Sequence, residues 1–264
     1  MQMNGRPRLP AILLGVLLAA GPARTGAAAV APAHILVSAA ASLTDAVTTI
    51  AHEYERTTGT RVSLNFGPSS GLARQIVNGA PVDLFLSADE AQMDYVARAH
   101  LVRPGTRVDL LSNQLVVVMP DAEARPLKSL RDLLGPGFKR IAVGDPAAVP
   151  VGVYTRKYLT SLGLWSRIQP KIVPTLDVRA ALAAVDGGNV DAAFVYRTDA
   201  AIARHSRMVY AVPLDQGPRI VYPLALIAGA PDAAAATRFY TYLRGPQARA
   251  VFEWYGFLAA GHVR

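Results

Sequence analysis

Residues 60–79 read TRVSLNFGPSSGLARQIVNG, and this stretch decides the fold. TRVSLNF alternates like a strand, and GLARQIVNG sets Leu72, Ile76 and Val77 at helical spacing before Gly79. Between them Gly67 and Gly71 let the backbone turn tightly, Pro68 stiffens it, and Ser69 and Ser70 supply two hydroxyls at a helix start. The turn also contains Gly-x-Ser-x-Gly, the pattern that presents a nucleophilic serine for acyl transfer. Two tasks are open to Ser69 at this point: nucleophile or hydrogen-bond donor.

Strand and helix alternate on both sides of this unit. HILVSAA (34–40) predicts a strand, and residues 42–59 a helix with Leu43, Val47, Ile50 and Tyr54 on one stripe, stopped at Gly59. VDLFLSA, KRIAVGD, KIVPTL and VDAAFVY read as further strands, with helices at AQMDYVARAHL, GVYTRKYLTSLGL and VRAALAAVDGG. Repeated β-α-β predicts a parallel sheet with helices on both faces. The length suits two doubly wound α/β domains: residues 30–113 with 220–264, and residues 114–219. The strand runs 107–119 and 208–228 carry the chain across and back, making a two-crossing hinge beside a ligand cleft.

The first thirty residues read differently from the rest. Arg6 and Arg8 precede the apolar run AILLGVLLAA, and small residues follow around Ala27 and Ala29. That pattern predicts a secretory signal over residues 1–29, cleaved after Ala29, because the run is about half of the ~20 residues needed to span a bilayer. The 264-residue sequence has no cysteine, which excludes disulfides, thiolate metal sites, cysteine nucleophiles and a lipid-anchor acceptor. A periplasmic location follows as the expectation. Losing Arg6, Arg8 and Arg24 with the signal lowers the formal charge from +8 to +5. The remaining cations are scattered, so no nucleic-acid partner is expected.

In open parallel sheets, ligands bind beyond the carboxyl ends of strands, where helix N-termini offer unpaired N–H groups and a partial positive charge. Four turns fit that description. Ser42 in SAAASLTDA reads, taken alone, as an N-cap with Asp45 as its capping-box-like partner, or else as a donor to an anion. Ser69 sits in FGPSSGL. In GDPAAVPVGVY, Val151 and Gly152 expose N–H groups ahead of a helix. In PTLDVRAAL, Asp177 reads as an N-cap whose carboxylate turns back onto its own helix, leaving the Val178 N–H available. Tyr196 ends a strand, where its hydroxyl reaches a cleft or its ring fills a core. Hydroxyls and backbone N–H groups suit a fully deprotonated oxyanion better than a protonated one, which would want an acceptor as well.

AAASLTDA, FGPSSGLARQI, NGAPVDLFLSAD, AVGDPAAVPVGVY, LDVRAALAAV, AAFVYRTDA and YLRGPQARAVFEWYGF stand in that order between Ile35 and Phe257. With these segments the sequence resembles the periplasmic molybdate-binding proteins of ABC transporters. The resemblance implies a type II periplasmic-binding fold that closes on molybdate or tungstate and delivers it to an inner-membrane ABC permease. It implies a non-enzymatic, monomeric protein with no cofactor, its molybdenum held only as molybdate. It implies contacts from the hydroxyl and N–H of Ser42 and Ser69, the N–H groups of Val151 and Val178, and the Tyr196 hydroxyl. Two positions depart from the family pattern. Val151 stands where alanine is familiar, and Pro68, lacking an N–H, removes one donor and leaves Ser70 as a minor alternative contact.

Other readings compete. A serine hydrolase using Ser69 needs a general base, and His100, His205 and His262 sit in unpromising contexts. The five histidines have no metal-ligand spacing. The same fold binding sulfate or phosphate is closer, but phosphate would require Asp145 or Asp177 to turn inward as a proton acceptor.

Overall fold

The computed structural model describes residues 33–260, with Gln2. The expected signal and its cut after Ala29 lie outside the described residues apart from Gln2, as does His262.

The described strands are β1 (His34–Ala40), β2 (Arg61–Gly67), β3 (Leu84–Leu86), β4 (Val108–Ser112), β5 (Leu115–Pro120), β6 (Ile141–Gly144), β7 (Ile172–Thr175), β8 (Ala192–Tyr196), β9 (Ser206–Ala211), β10 (Val221–Leu226) and β11 (Leu258–Ala259). They form a six-stranded sheet, β11-β4-β10-β3-β1-β2, and a five-stranded sheet, β7-β6-β8-β5-β9. The helices are α1 (Thr44–Thr58), α2 (Ser69–Val77), α3 (Glu90–Arg98), α4 (Pro150–Ser161), α5 (Trp165–Ile168), α6 (Val178–Asp186), α7 (Arg197–Ala200), α8 (Ala233–Leu243) and α9 (Pro246–Trp254).

Each sheet is mixed, where the repeating pattern predicted parallel pairing throughout. β1 pairs in parallel with β2 and β3, and β6 with β7 and β8, as helical crossovers require. β10 is inserted antiparallel between β3 and β4, and β5 antiparallel between β8 and β9. Both inserted strands are the first that the chain lays down on reaching that sheet. β4 passes to β5 through Asn113 and Gln114 alone, with no helix to bring the chain back to its starting end. It therefore enters the second sheet running the opposite way. The return from β9 to β10 has the same consequence.

Local sequence explains the helices that flank these strands. In α1 the buried Ala46, Val47, Ile50, Ala51 and Tyr54 make one stripe, and Gly59 at φ 70° ends the helix in the left-handed region. α2 begins at Ser69 and α4 at Pro150, each two residues before the expected start. Proline suits the first turn of α4 because the N–H it lacks would have no intrahelical partner there. No pattern announced α5, α7 or β11, which have four, four and two residues and too short a period to register.

Gly152 sets how closely α4 approaches β6. A Cβ there would overlap the Gly144 carbonyl oxygen and lie 2.7 Å from that of Asp145. Both are backbone atoms and cannot rotate away. Gly152→Ala is therefore expected to push α4 off β6 at a cost of about 1–3 kcal/mol, read as a lowered melting temperature. Gly67→Ala, whose Cβ would meet the Leu72 side chain at an ordinary 3.7 Å, is expected to cost under about 1 kcal/mol.

Candidate functional site

The parallel strands of both sheets end at one small cavity of about 10 Å³, room for roughly one water-sized sphere. The six-stranded half contributes residues 40–42 after β1, 67–69 after β2 and Ala88 after β3. The five-stranded half contributes residues 149–151 after β6, Asp177 and Val178 after β7, and Tyr196 at the end of β8. Ser42, Ser69, Val151, Val178 and Tyr196 are thus brought together, and all five are buried. Ser70 is buried too but does not line the cavity.

Each donor is set by its local structure. Ser69 is the first residue of α2 and Val178 the first of α6, while Val151 follows Pro150 in the first turn of α4. Helix geometry leaves N–H groups at these positions without intrahelical acceptors. The Ser69 Oγ accepts the Ala88 N–H at 2.9 Å, which leaves its own proton free to be donated. Ser42 sits in a short 3₁₀ turn, Ala41–Leu43, ahead of α1. The capping reading of Ser42 does not hold: its Oγ lies 3.0 Å from the Tyr222 Oη, and Asp45 pairs with Arg179. A buried tyrosine 180 residues away supplies the partner that local sequence could not show.

The two carboxylates nearest these turns are each engaged by a backbone N–H of their own segment. Asp177 accepts the Ala180 N–H at 2.9 Å as the N-cap of α6, and Asp145 accepts the Ala147 N–H at 2.9 Å. Among the described residues no lysine or arginine lines the cavity. The Tyr196 phenol is 1% exposed, and among the described residues its hydroxyl has no hydrogen-bond partner. Burial holds its pKa well above the usual phenol value, so it remains a protonated donor.

Arg179, one residue beyond Val178, ties the two halves together beside the cavity. Its guanidinium meets Asp45 of α1 at 2.7 Å and lies 2.8 Å from Asp199 of α7. Burial pushes the Asp199 carboxyl up to about 6, against the opposing pull of Arg179. Sequence reasoning missed Arg179, Ala88, Asn113 and Tyr222. The one available signal was the placement of Arg179 directly after a helix start and of Asp45 three residues after Ser42.

Chemically the cavity is a donor-rich, acceptor-poor shell. His34, His52, His100 and His205 are all exposed, so among the described residues no imidazole reaches Ser69. With its Oγ engaged by a backbone N–H and no base at hand, Ser69 is not arranged as a nucleophile. Nor do the described residues bring three histidine or carboxylate side chains together as a metal site.

Comparison with known proteins agrees with this geometry. The family of bacterial extracellular solute-binding proteins matches residues 35–258. The molybdate-binding protein ModA of Escherichia coli is 42% identical over 229 residues, covering 84% of this chain and 88% of that protein. The solved Azotobacter vinelandii periplasmic molybdate-binding protein superposes with a TM-score of 0.75 at 27% identity, over 85% of this chain and 98% of that one. The sulfate-binding protein SubI of Mycobacterium tuberculosis reaches the same TM-score at 18% identity, over 87% and 88%, a likeness of fold alone.

The orientation of Asp177 is open to direct test. Facing its own helix, it stabilises α6, so Asp177→Ala is expected to cost about 0.5–2 kcal/mol in thermal unfolding. Were the carboxylate turned to the cavity, it would repel a bound anion, and Asp177→Ala would tighten anion binding instead of leaving it unchanged.

Proposed function

This chain belongs to the ModA family of bacterial extracellular solute-binding proteins, and we propose that it captures molybdate or tungstate in the cavity between its two halves. In this reading it works in the periplasm and delivers the anion to an inner-membrane ABC permease. It is a monomer, catalyses nothing, and carries no cofactor; molybdenum is its cargo. The halves act as hinged domains, residues 30–113 with 220–264 and residues 114–219. Ser42 and Ser69 each donate a hydroxyl and an N–H, Val151 and Val178 each an N–H, and Tyr196 its hydroxyl.

The observation that carries the reading is the Tyr196 hydroxyl, buried without a partner on a cavity rimmed by helix N-termini. An unmade buried hydrogen bond costs about 1–3 kcal/mol, and an oxyanion removes that cost while gaining a charge-assisted bond. The inward-facing groups are chiefly donors, so a fully deprotonated oxyanion matches them better than a protonated one such as hydrogen phosphate, whose proton wants an acceptor. Asp145 and Asp177, the two residues that could have served, are both bound to backbone N–H groups. Sulfate matches molybdate in charge and shape, and only the fit of the cavity separates them. Hydrogen bonding alone does not distinguish molybdate from tungstate.

Calorimetric titration with molybdate, tungstate, sulfate and phosphate tests the reading. Molybdate and tungstate are expected to bind at micromolar concentrations or below, about −8 kcal/mol or stronger. Silence toward both sinks the proposal. Tyr196→Phe is expected to weaken molybdate binding roughly 10- to 100-fold without lowering the unliganded melting temperature, since the lost hydroxyl had no partner in the protein. A Ser69→Ala variant that binds as tightly as the parent would overturn the assignment of the site.

A further inference from the structure

The Ser42 hydroxyl ends a buried chain of hydrogen bonds that begins where the backbone crosses between sheets. Asn113 lies in the two-residue crossing from β4 to β5. Its Oδ1 accepts the Gln114 N–H at 2.9 Å, which fixes the amide so that Nδ2 is the donor side. The two Nδ2 hydrogens go to the Thr198 Oγ1 at 2.9 Å and the Tyr222 Oη at 3.2 Å. Tyr222, on β10 just past the second crossing, has one other contact for its hydroxyl, the Ser42 Oγ at 3.0 Å. Asn113, Tyr222 and Ser42 are at most 3% exposed, so water does not compete for these groups.

Counting protons gives the chain a direction. Either hydroxyl of the Ser42–Tyr222 pair could donate, but among the described residues the Ser42 Oγ is the one acceptor within reach of the buried phenol proton, and we take the proton to lie there. Ser42 then has a filled acceptor site and a proton that no group in the cluster takes up. A cluster that merely satisfied its own members would have absorbed that proton internally. The geometry points to Asn113 and Tyr222 as positioning residues that hold the Ser42 hydroxyl as an obligate donor to the bound oxyanion. This rests on the functional reading above and adds residues from both crossings to the apparatus that orients the site. Ser69 reaches the same donor-only state more simply, through the Ala88 N–H.

A double-mutant cycle separates orientation from mere packing. Molybdate affinity is measured by calorimetry for the parent, Tyr222→Phe, Ser42→Ala and the double variant, with unliganded melting temperatures recorded for each. Tyr222→Phe is expected to weaken binding on the order of three- to tenfold, because the Ser42 proton loses both its enforced direction and the polarisation of the chain. In the Ser42→Ala background the same change is expected to alter affinity by less than about twofold, since there is no hydroxyl left to orient. Equal losses in both backgrounds would show that Tyr222 acts through packing and would overturn the inference, as would a Tyr222→Phe variant that binds like the parent. If Tyr222→Phe does not fold, Asn113→Ala keeps the phenol in place but frees its direction, and it is expected to give the same pattern with a smaller loss. A parent that binds neither molybdate nor tungstate overturns the functional reading itself, a result distinct from a parent that binds and a Tyr222 variant indifferent to Ser42.

Discussion

An anion held in a closed cavity without a formal counter-charge must find hydrogen-bond donors already in place. Side-chain cations would supply charge, but they bring long, mobile chains and bind protonated and deprotonated anions alike. First-turn N–H groups of helices are fixed by the fold and unpaired by geometry, so turning them inward forfeits no existing bond. They converge only if the strands feeding them end on the same side. The parallel β1–β3 and β6–β8 sets meet that condition, and the two inserted antiparallel strands leave those ends undisturbed. The α/β architecture is in this sense a consequence of the site's requirement.

The same cavity bears on closure. The pair of Arg179 with Asp45 joins the halves, but the two side chains are 24% and 40% exposed, and such pairs contribute about 0–1 kcal/mol. Against it stands the buried Tyr196 hydroxyl, whose missing partner costs about 1–3 kcal/mol. On the proposed reading an oxyanion gives Tyr196 an acceptor in the closed arrangement and so favours it. The anion thus supplies the differential interaction that a ligand-driven change of state requires.

Much of this was legible in the sequence, for definite reasons. Strand–turn–helix periodicity located the turns at Ser42, Ser69, Val151 and Val178, because a helix start is a local signal carried by a few residues. The capping role of Asp177 was legible on the same ground. Strand direction in β5 and β10 was not, since it depends on where the chain crosses and not on the composition of either strand. Ser42 shows the limit most clearly. Its neighbours spell a capping box, yet its hydroxyl is claimed by Tyr222 and its supposed partner Asp45 by Arg179, contacts 180 and 134 residues away in sequence. Long-range hydrogen bonds leave no periodic trace. The Gly-x-Ser-x-Gly match misled for the opposite reason: it reports the shape of a turn, and that shape is the same whether the serine attacks or donates.

The division between side-chain and main-chain donors has a consequence for selectivity. On the proposed reading Val151 and Val178 contribute through N–H groups that every residue except proline possesses, so their side chains are free to shape the cavity. On that reading a β-branched residue in the first turn of α4 would narrow the space without altering the donor it carries. Hydrogen bonding then answers to the protonation state of the anion and wall volume to its size. Two tetrahedral dianions that no donor set distinguishes are sorted by packing, where a misfit of a few tenths of an ångström already forfeits contact energy.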